Sequence, residues 1–488
     1  MGLQQNKNQP QHQGYDHSSM YSALSSVLRK KPVTCTPQTP IRKVLEILHR
    51  QDIGSMVVVT PSEAPVGIFT LRDLLNRVTV PGVDLDEPIS RVMSGSLITL
   101  PPQTPAYQAA LTMVRHGIRH VLVVENNKLV GVVSENDLFS LQRVGLKQIS
   151  GDIQGADTLE SLVQSSRDIQ QLGHNLLTQG VAAEPLTQYI STLNDLLTRR
   201  IIELETASSE FGDVSYCWLA LGSEGRFEQT LGTDQDNGII FTHPDTVGAE
   251  AARHALLPLA RRINEALKEC GFPLCKGNIM ASNPLWCLSL AEWKDKFSVW
   301  IDQGDAGSLL NATIFFDFRA LYGNTSLAEE LREWLTRRAS NPRFLHLMAG
   351  NALRNRPPLG WLTDFVTQKK GDHPDTIDLK LNGTHLFVDA ARIFSLATQV
   401  PHTNTQQRLR TTAPLLNIPL DEAEAWVEAF EFVLLLRMRH QSRLLSEGKS
   451  MHNHMNPRGL NKLDQNFLKQ SLRQARKLQN RLALDFRL

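Results

Sequence analysis

Two acidic residues separated by one position are the strongest candidates for chemistry in this 488-residue chain. Asp234 and Asp236 follow a glycine-containing stretch and lead directly into the apolar residues of a predicted strand. Because residues i and i+2 of an extended segment point to the same face, we expect both carboxylates to project together. Neighbouring carboxylates repel each other, and a Mg²⁺ or Mn²⁺ ion relieves that repulsion while leaving room for substrate phosphates. The spacing therefore predicts a divalent-cation site.

A glycine-serine turn shortly before the acidic pair is suited to a triphosphate. Gly222 and Ser223 lie where the apolar run 215–221 ends, and a strand-to-helix turn there offers backbone N–H groups and a hydroxyl to phosphate. Arg226 is expected in the first helical turn, where its guanidinium can neutralise phosphate charge. The alternative interpretation of this stretch is an acidic, glycine-rich surface loop.

A third carboxylate is expected on a neighbouring strand. Asp317 lies in the apolar segment 312–319, and a charge is costly to bury there unless it is paired or bound to metal. We therefore expect Asp317 to join the acidic pair as a catalytic metal ligand. The alternative is a salt bridge to Arg319.

An internal repeat is expected to form the region before these residues. The tetrapeptide Pro-Gln-Thr-Pro at 37–40 recurs at 102–105, and each copy is followed by a helical pattern, a β-branched run and a strand that contains a glycine, Gly67 or Gly131. Two such strand–helix–strand–strand–helix units cannot bury their apolar faces alone, so they should pack on each other.

Residues 28–145 resemble a tandem pair of CBS domains, in which the last strand leads into a Gly-x-x-Ser/Thr-x-x-Asp signature. The resemblance implies that Thr70 with Asp73, and Ser134 with Asp137, contact adenine nucleotides (ATP, ADP or AMP) as regulatory ligands. A hydroxyl near a helix N-terminus can bond a phosphate, and a carboxylate can accept both ribose hydroxyls. The alternative is that these residues only cap helices. The resemblance also implies a homodimer.

Residues 211–340 resemble the nucleotidyltransferase superfamily, and in particular the N-terminal catalytic part of PII-protein uridylyltransferase. The resemblance rests on GSEGRFEQTLGTDQDN at 222–237 and FFDFR at 315–319, strings that are similar to those of a bacterial family joining a CBS pair to such a unit. It implies a mixed-sheet fold that transfers a nucleoside monophosphate from a nucleoside triphosphate to an acceptor hydroxyl, for example on a protein. The alternative is a catalytically silent nucleotide sensor that docks a partner protein. Gln235 and Asn237 replace residues that are apolar in many members, which a solvent-facing strand edge would tolerate.

The rest of the chain predicts an α/β (α+β) protein with helices around these two regions. Periodic apolar residues indicate a helical connector over 150–210 and a C-terminal helical domain over 345–488, while the polar segment 1–27 is expected to be a disordered tail. The favoured interpretation of His452 and His454 is a loop, with metal binding the weaker alternative.

Composition limits the classes of partner. The formal net charge is +1, so no overall field favours nucleic acid or an anionic membrane. The five cysteines form no CxxC pair, which favours reduced thiols over disulfides or a zinc site. No apolar stretch is long enough to span a membrane and no signal core is recognisable, so we expect a cytoplasmic protein.

Overall fold

The computed structural model describes residues 23–28, 32–51, 53–139, 146–178, 180–207, 214–360 and 365–488. These residues belong to two compact units, Met1–Val144 and Gly145–Leu488. Most of the predicted N-terminal tail lies outside the described residues. Its last residues differ from the prediction, because Leu24–Val27 forms a short helix.

The first unit contains two copies of one small sheet. Its elements are α1 (Leu24–Val27), β1 (Thr34–Cys35), α2 (Ile41–Gln51), β2 (Ser55–Val59), β3 (Pro65–Thr70), α3 (Leu71–Asp73), β4 (Thr99–Leu100), α4 (Ala106–His116), β5 (His120–Glu125), β6 (Lys128–Ser134) and α5 (Glu135–Phe139). In the order β1-β2-β3 and β4-β5-β6, the first pair of each sheet is parallel and the second antiparallel. Both antiparallel pairs carry a register shift at the equivalent position, after Val58 and after Val123. The internal repeat is thus confirmed in the backbone.

Each repeat is completed by the segment that precedes the other one. The backbone N–H of Leu24 donates to the carbonyl of Thr104 in the second repeat over 2.8 Å. In the same way Ser94 pairs with Ile68 of the first repeat. A side chain at Gly67 would overlap Met93, and one at Gly131 would overlap Leu28. The two glycines therefore leave room for equivalent apolar side chains arriving from the opposite repeat.

The second unit combines a four-stranded sheet with many helices. Its elements are α6 (Leu146–Gly155), α7 (Leu159–Thr178), α8 (Ala183–Thr206), β7 (Ser215–Ala220), α9 (Gly222–Gly225), β8 (Asn237–Thr242), α10 (Ala249–Glu269), β9 (Cys287–Ser289), α11 (Leu290–Gln303), α12 (Ala306–Phe315), β10 (Arg319–Gly323), α13 (Thr325–Arg338), α14 (Pro342–Ala352), β11 (Ile377–Asp378), α15 (His385–Ala397), α16 (Thr405–Leu415), α17 (Leu420–Ser446), β12 (His454–Met455) and α18 (Lys462–Asp485).

The mixed sheet of this unit has the order β10-β7-β8-β9. Strands β7 and β8 are antiparallel, and their residues are buried along most of their length because helices cover the sheet. Helix α13 packs on β7 and β10, and α11 packs on β8 and β9. The segment 312–319 does not form the expected strand, since α12 extends to Phe315 and β10 begins only at Arg319. Asp317 therefore lies in the turn between a helix and a strand.

Helices precede the sheet in the chain and follow it. The predicted connector forms α6, α7 and α8, which pack on one another, and α8 also contacts α10 and β10. The C-terminal helices pack as the neighbouring pairs α14–α15, α15–α16, α16–α17 and α17–α18. Among the helices of the described residues, none is both long and apolar enough to cross a bilayer.

Candidate active site

The acidic pair lies in the loop immediately before β8. Gln235 and Asn237, on either side of Asp236, are buried, with 3% and 1% of their surface exposed. The Gln235 amide donates to the carbonyls of Asn264 and Phe272, both over 2.9 Å, and the Asn264 amide donates to Asn237 Oδ1 over 3.0 Å. The expectation that these polar residues face solvent at a strand edge is therefore wrong. They anchor the loop from inside.

Because these two anchors point inward, we expect the two acids to lie together on the other side of the loop. Successive side chains of an extended segment alternate in direction, so burying Gln235 and Asn237 places Asp234 and Asp236 on the opposite side. The Asp234 side chain is 43% exposed. Burial, and then repulsion from Asp234, raise the pKa of Asp236 to about 7, while the Cys275 thiol donates a hydrogen bond to it. Asp234 is thus close enough to Asp236 to disfavour the charge of that carboxylate.

The glycine-serine turn lies directly against Asp236. Gly222 has a φ of 57°, and a Cβ atom there would lie 2.9 Å from Asp236 Oδ2. The backbone N–H of Leu221 donates to the Asp236 carbonyl over 2.9 Å. The Ser223 hydroxyl lies 3.5 Å from the hydroxyl of Thr233 in the acidic loop. The structure therefore brings Gly222 and Ser223 to the acidic pair.

Asp317 does not join this pair, which corrects the prediction of a third metal ligand. Its fully buried carboxylate contacts Arg226 at 2.9 Å, Arg392 at 2.6 Å and Arg408 at 2.7 Å. Burial alone would raise the pKa of Asp317, but the three guanidinium groups hold it well below its usual range. The alternative partner Arg319 is also excluded, since it pairs with Asp195 at 2.5 Å. Asp317 is the centre of a buried ion cluster.

Arg226 belongs to the same cluster, which corrects its assignment to a bound phosphate. Its Nε donates to Glu228 over 2.7 Å and its Nη1 to Asp317 over 2.9 Å, and only 6% of its surface is exposed. Glu228 in turn accepts from the backbone N–H of Thr405 over 2.7 Å. Arg226 therefore fastens the loop before the acidic pair to the C-terminal helices.

The two predicted nucleotide contacts of the first unit have the same geometry. The Thr70 hydroxyl and backbone N–H donate to Asp73 Oδ2 over 2.7 and 3.0 Å, and those of Ser134 donate to Asp137 Oδ2 over 2.5 and 2.8 Å. In return, each Asp N–H donates to the hydroxyl. Both pairs therefore form reciprocal caps at the end of the last strand of a repeat.

Family models match these regions in chain order. The CBS domain matches residues 24–79 and 89–143, "Putative nucleotidyltransferase DUF294" matches 167–307, and "Putative nucleotidyltransferase substrate binding domain" matches 342–486. The chain belongs to the family that joins a CBS pair to a DUF294 nucleotidyltransferase region. The predicted combination of a CBS pair with a nucleotidyltransferase region is thus confirmed, and the C-terminal helices match the model of the family's substrate-binding domain, a name that we use for them below.

Individual relatives match only part of this DUF294 protein. An uncharacterised protein of Methanopyrus kandleri is 32% identical, over 25% of this chain and 62% of its own length. The CBS domain-containing protein YhcV of Bacillus subtilis is 30% identical, over 24% of this chain and 83% of its own length. A solved CBS domain protein of Pyrobaculum aerophilum, complexed with AMP, is 32% identical over 25% of this chain and 99% of that chain, with a TM-score of 0.23.

Several residues at the DUF294 site could not be found from sequence motifs. Lys380 of the substrate-binding domain has its Nζ 4.0 Å from Asp234 Oδ1. Gln441 of α17 contacts the backbone of Gly232 over 3.4 and 3.5 Å. Glu224, inside α9, is buried, and burial followed by repulsion from Asp195 raises its pKa to about 8. Two of these three come from helices and turns far along the chain, where local spacing carries no signal.

The acidic pair suits Mg²⁺ only in combination with phosphate. Among the side chains that the structure describes, no group of three or more His, Cys, Asp or Glu is arranged to hold a metal ion. Mg²⁺ is commonly held by one or two carboxylates together with substrate phosphates and water. Asp234 and Asp236 fit that requirement.

His452 and His454 lie in a cluster of imidazole rings of the substrate-binding domain. The ring of His373 lies 4.6 Å from that of His452 and 4.2 Å from that of His454, and His440 Nε2 is 3.4 Å from His452 Nδ1. His454 is the first residue of β12 rather than part of an isolated loop. Burial lowers the pKa of His440 to about 4, with His452 and Arg443 acting in the same direction, so this ring is neutral at pH 7.

Proposed function

We propose that this protein is a metal-dependent nucleotidyltransferase, similar to PII-protein uridylyltransferase, that transfers a nucleoside monophosphate from a nucleoside triphosphate to an acceptor hydroxyl. The observation that supports the proposal is the packing of the Gly222 turn against Asp236, whose neighbours Gln235 and Asn237 are buried and whose charge Asp234 disfavours. The family match to a nucleotidyltransferase region supports the same reaction class.

In this proposal Asp234 and Asp236 hold Mg²⁺ or Mn²⁺, which when bound supplies charge neutralisation at the triphosphate. Gly222 keeps the space in front of Asp236 open, because any side chain there would meet the carboxylate. The Ser223 hydroxyl and the backbone of the turn are the proposed phosphate donors. Asp317 has a structural role in this proposal. Its backbone carbonyl oxygen packs against Gly225, where any side chain would overlap it, and this close packing positions the turn that contains Gly222 and Ser223.

Adenine nucleotides are the proposed regulatory ligands of the CBS pair. The match of both repeats to the CBS model and the shared hydrogen-bond pattern of Thr70–Asp73 and Ser134–Asp137 support two equivalent sites. To bind a ribose, each aspartate would give up hydrogen bonds from Thr70 or Ser134 and accept hydrogen bonds from the ribose hydroxyls instead. Bound nucleotide should therefore stabilise the first unit by linkage.

A second candidate function is a nucleotide-sensing module in which the DUF294 region only docks a partner protein. The commitment of Asp317 to three arginines favours it, since this leaves the acidic pair with two carboxylates. The two candidates differ in chemistry: only the enzyme releases pyrophosphate.

The deciding experiment offers labelled ATP, UTP, CTP and GTP with Mg²⁺ to the full chain in cell extract, and measures pyrophosphate and labelled acceptors. Wild type should label an acceptor, a protein being the first class to examine, and Asp236→Asn should abolish the labelling without unfolding the chain. Asp372→Asn changes an exposed aspartate of the substrate-binding domain and serves as the matched control. Equal labelling by wild type and Asp236→Asn removes the enzyme proposal.

We also propose that two copies associate through their CBS pairs. Leu71, Leu75 and Val80, on α3 and the π-helical turn after it, are 57%, 56% and 75% exposed. An apolar row of this kind is suited to a second copy of the same face. Leu75→Lys should shift the chain from dimer to monomer in sedimentation velocity, and a wild-type monomer at micromolar concentration would remove the proposal.

A further inference from the structure

One lysine of the substrate-binding domain is directed at the acidic pair. Lys380 begins a π-helical turn, Lys380–Thr384, and its Nζ lies 4.0 Å from Asp234 Oδ1 with 36% of the side chain exposed. Its charge also reaches Asp236: burial and Asp234 raise the pKa of that carboxyl, and Lys380 acts against them. The ammonium group therefore lies beside Asp234, and its charge favours the ionised form of Asp236.

The backbone that presents Lys380 is fixed, while its side chain ends at the surface. Asp378 Oδ1 accepts from the backbone N–H groups of Lys380 and Leu381 over 2.8 and 3.0 Å. The N–H of Leu379 donates to the carbonyl of Asn453 over 2.9 Å, next to the pairing of β11 with β12. These bonds determine where the lysine stem starts and leave its amino group accessible.

Fold stability does not account for this contact. A separation of 4.0 Å is longer than the roughly 2.7–2.9 Å of a charge-assisted hydrogen bond, and exposed pairs of this kind contribute about 0–1 kcal/mol. The surroundings are nevertheless basic. Arg437 is buried and its Nε donates to Asn453 over 2.7 Å; burial lowers its pKa to about 10, with Asp378 and Asp234 acting in the opposite direction. The substrate-binding domain thus presents positive charge, from Lys380 and Arg437, near the acidic pair.

We infer that Lys380 contacts the terminal phosphates of the nucleoside triphosphate that is held at Asp234 and Asp236. A triphosphate at the acidic pair carries oxygens beyond the carboxylates, and an ammonium group on a flexible stem can bond them as a point charge. The substrate-binding domain then takes part in nucleotide binding as well as in holding the acceptor. This inference rests on the proposed function.

The test is calorimetric binding of inorganic tripolyphosphate with Mg²⁺ to the full chain. This probe lacks the base and ribose that the CBS aspartates are proposed to recognise. Lys380→Ala should weaken binding about tenfold, which corresponds to about 1.4 kcal/mol. Lys380→Arg should retain most of the affinity, and Lys370→Ala, at an exposed lysine of the same domain, should bind like wild type. Thermal melts establish that each variant is folded.

The variants separate the two ways in which this could fail. If Asp236→Asn loses Mg²⁺-dependent binding while Lys380→Ala binds like wild type, the lysine assignment is wrong and the proposed function stands. If wild type and Asp236→Asn bind tripolyphosphate equally, the acidic pair holds no metal–phosphate complex, and both the function and the lysine assignment are overturned.

Discussion

Replacing Asp317 by Asn should destabilise the second unit strongly without removing the metal site. The substitution keeps the shape of the side chain and removes the charge that three arginines share at 2.6 to 2.9 Å. Arg226 would keep its ion pair with Glu228, and Arg392 would keep its ion pair with Asp389. Arg408 would therefore be affected most, because it would lose its carboxylate partner. Removing one partner of a buried ion pair costs about 3–5 kcal/mol. That is a large part of the roughly 5–15 kcal/mol by which domains are stable.

Urea unfolding followed by tryptophan fluorescence measures this loss selectively. All seven tryptophans lie beyond residue 214, so their emission reports on the second unit and not on the CBS pair. Asp302→Asn is the matched control, because Asp302 pairs with Arg338 at 2.6 Å with half of its side chain exposed, and such a surface pair contributes at most about 1 kcal/mol.

Two further measurements distinguish a structural role from a catalytic one. Arg408→Met in the Asp317→Asn background should recover part of the lost stability, since it removes a buried charge that has no counter-charge left. Asp236→Asn should leave stability unchanged or raise it, because burial and Asp234 already disfavour that charge. If Asp317→Asn unfolds at the same urea concentration as wild type but no longer binds Mg²⁺ and tripolyphosphate, Asp317 is a ligand of the metal site and not the centre of a stabilising ion cluster.

Three other predictions concern a turn, the CBS sites and a histidine. Gly222→Ala should abolish Mg²⁺-dependent tripolyphosphate binding, because its Cβ would meet Asp236, whereas Gly82→Ala, also at positive φ but with open space around it, should cost only backbone strain of about 1–2 kcal/mol in thermal melts. Asp73→Ala with Asp137→Ala should remove the thermal shift that AMP gives the wild type; an undiminished shift would place AMP elsewhere. The pKa of His440 is about 4 in the folded protein, below its ordinary value of 6.5, so the folded state binds fewer protons between these values and stability should fall by about 2–3 kcal/mol as pH drops from 6.5 to 4. His440→Gln should flatten that part of the stability–pH curve, and an unchanged curve would contradict the assignment.

The fold was largely predictable because its signals are local or repeated. The recurrence of Pro-Gln-Thr-Pro and of the glycine strands predicted two equivalent sheets, and both formed with the same register shift. The apolar run before Gly222 and the one after Asp236 predicted the two central strands, which pair as β7 and β8. Helical periodicity likewise predicted the helical C-terminal region, which includes the long helices α17 and α18.

The site was less predictable because its partners lie far apart in sequence. The apolar neighbours of Asp317 in the sequence are compatible with metal binding and with ion pairing. Its ion-pair partners, Arg226, Arg392 and Arg408, are distant in the sequence and become apparent only in the structure. The polarity of Gln235 and Asn237 favours exposure, whereas their burial depends on hydrogen bonds to Asn264, a residue of α10. Lys380 carried no motif. In each case the deciding contact forms only when distant parts of the second unit, the C-terminal helices or α10 among them, pack around the loops that carry these residues.

In the CBS pair, the segment that precedes each repeat packs on the other repeat, so the two repeats depend on each other. A single repeat on its own would lack the side chain, Met93 or Leu28, that fills the space over its glycine. An ancestral one-repeat chain would have needed a second molecule to donate that side chain, as in a domain-swapped dimer. Dividing the present chain between its repeats should likewise leave each half with an unfilled space over its glycine.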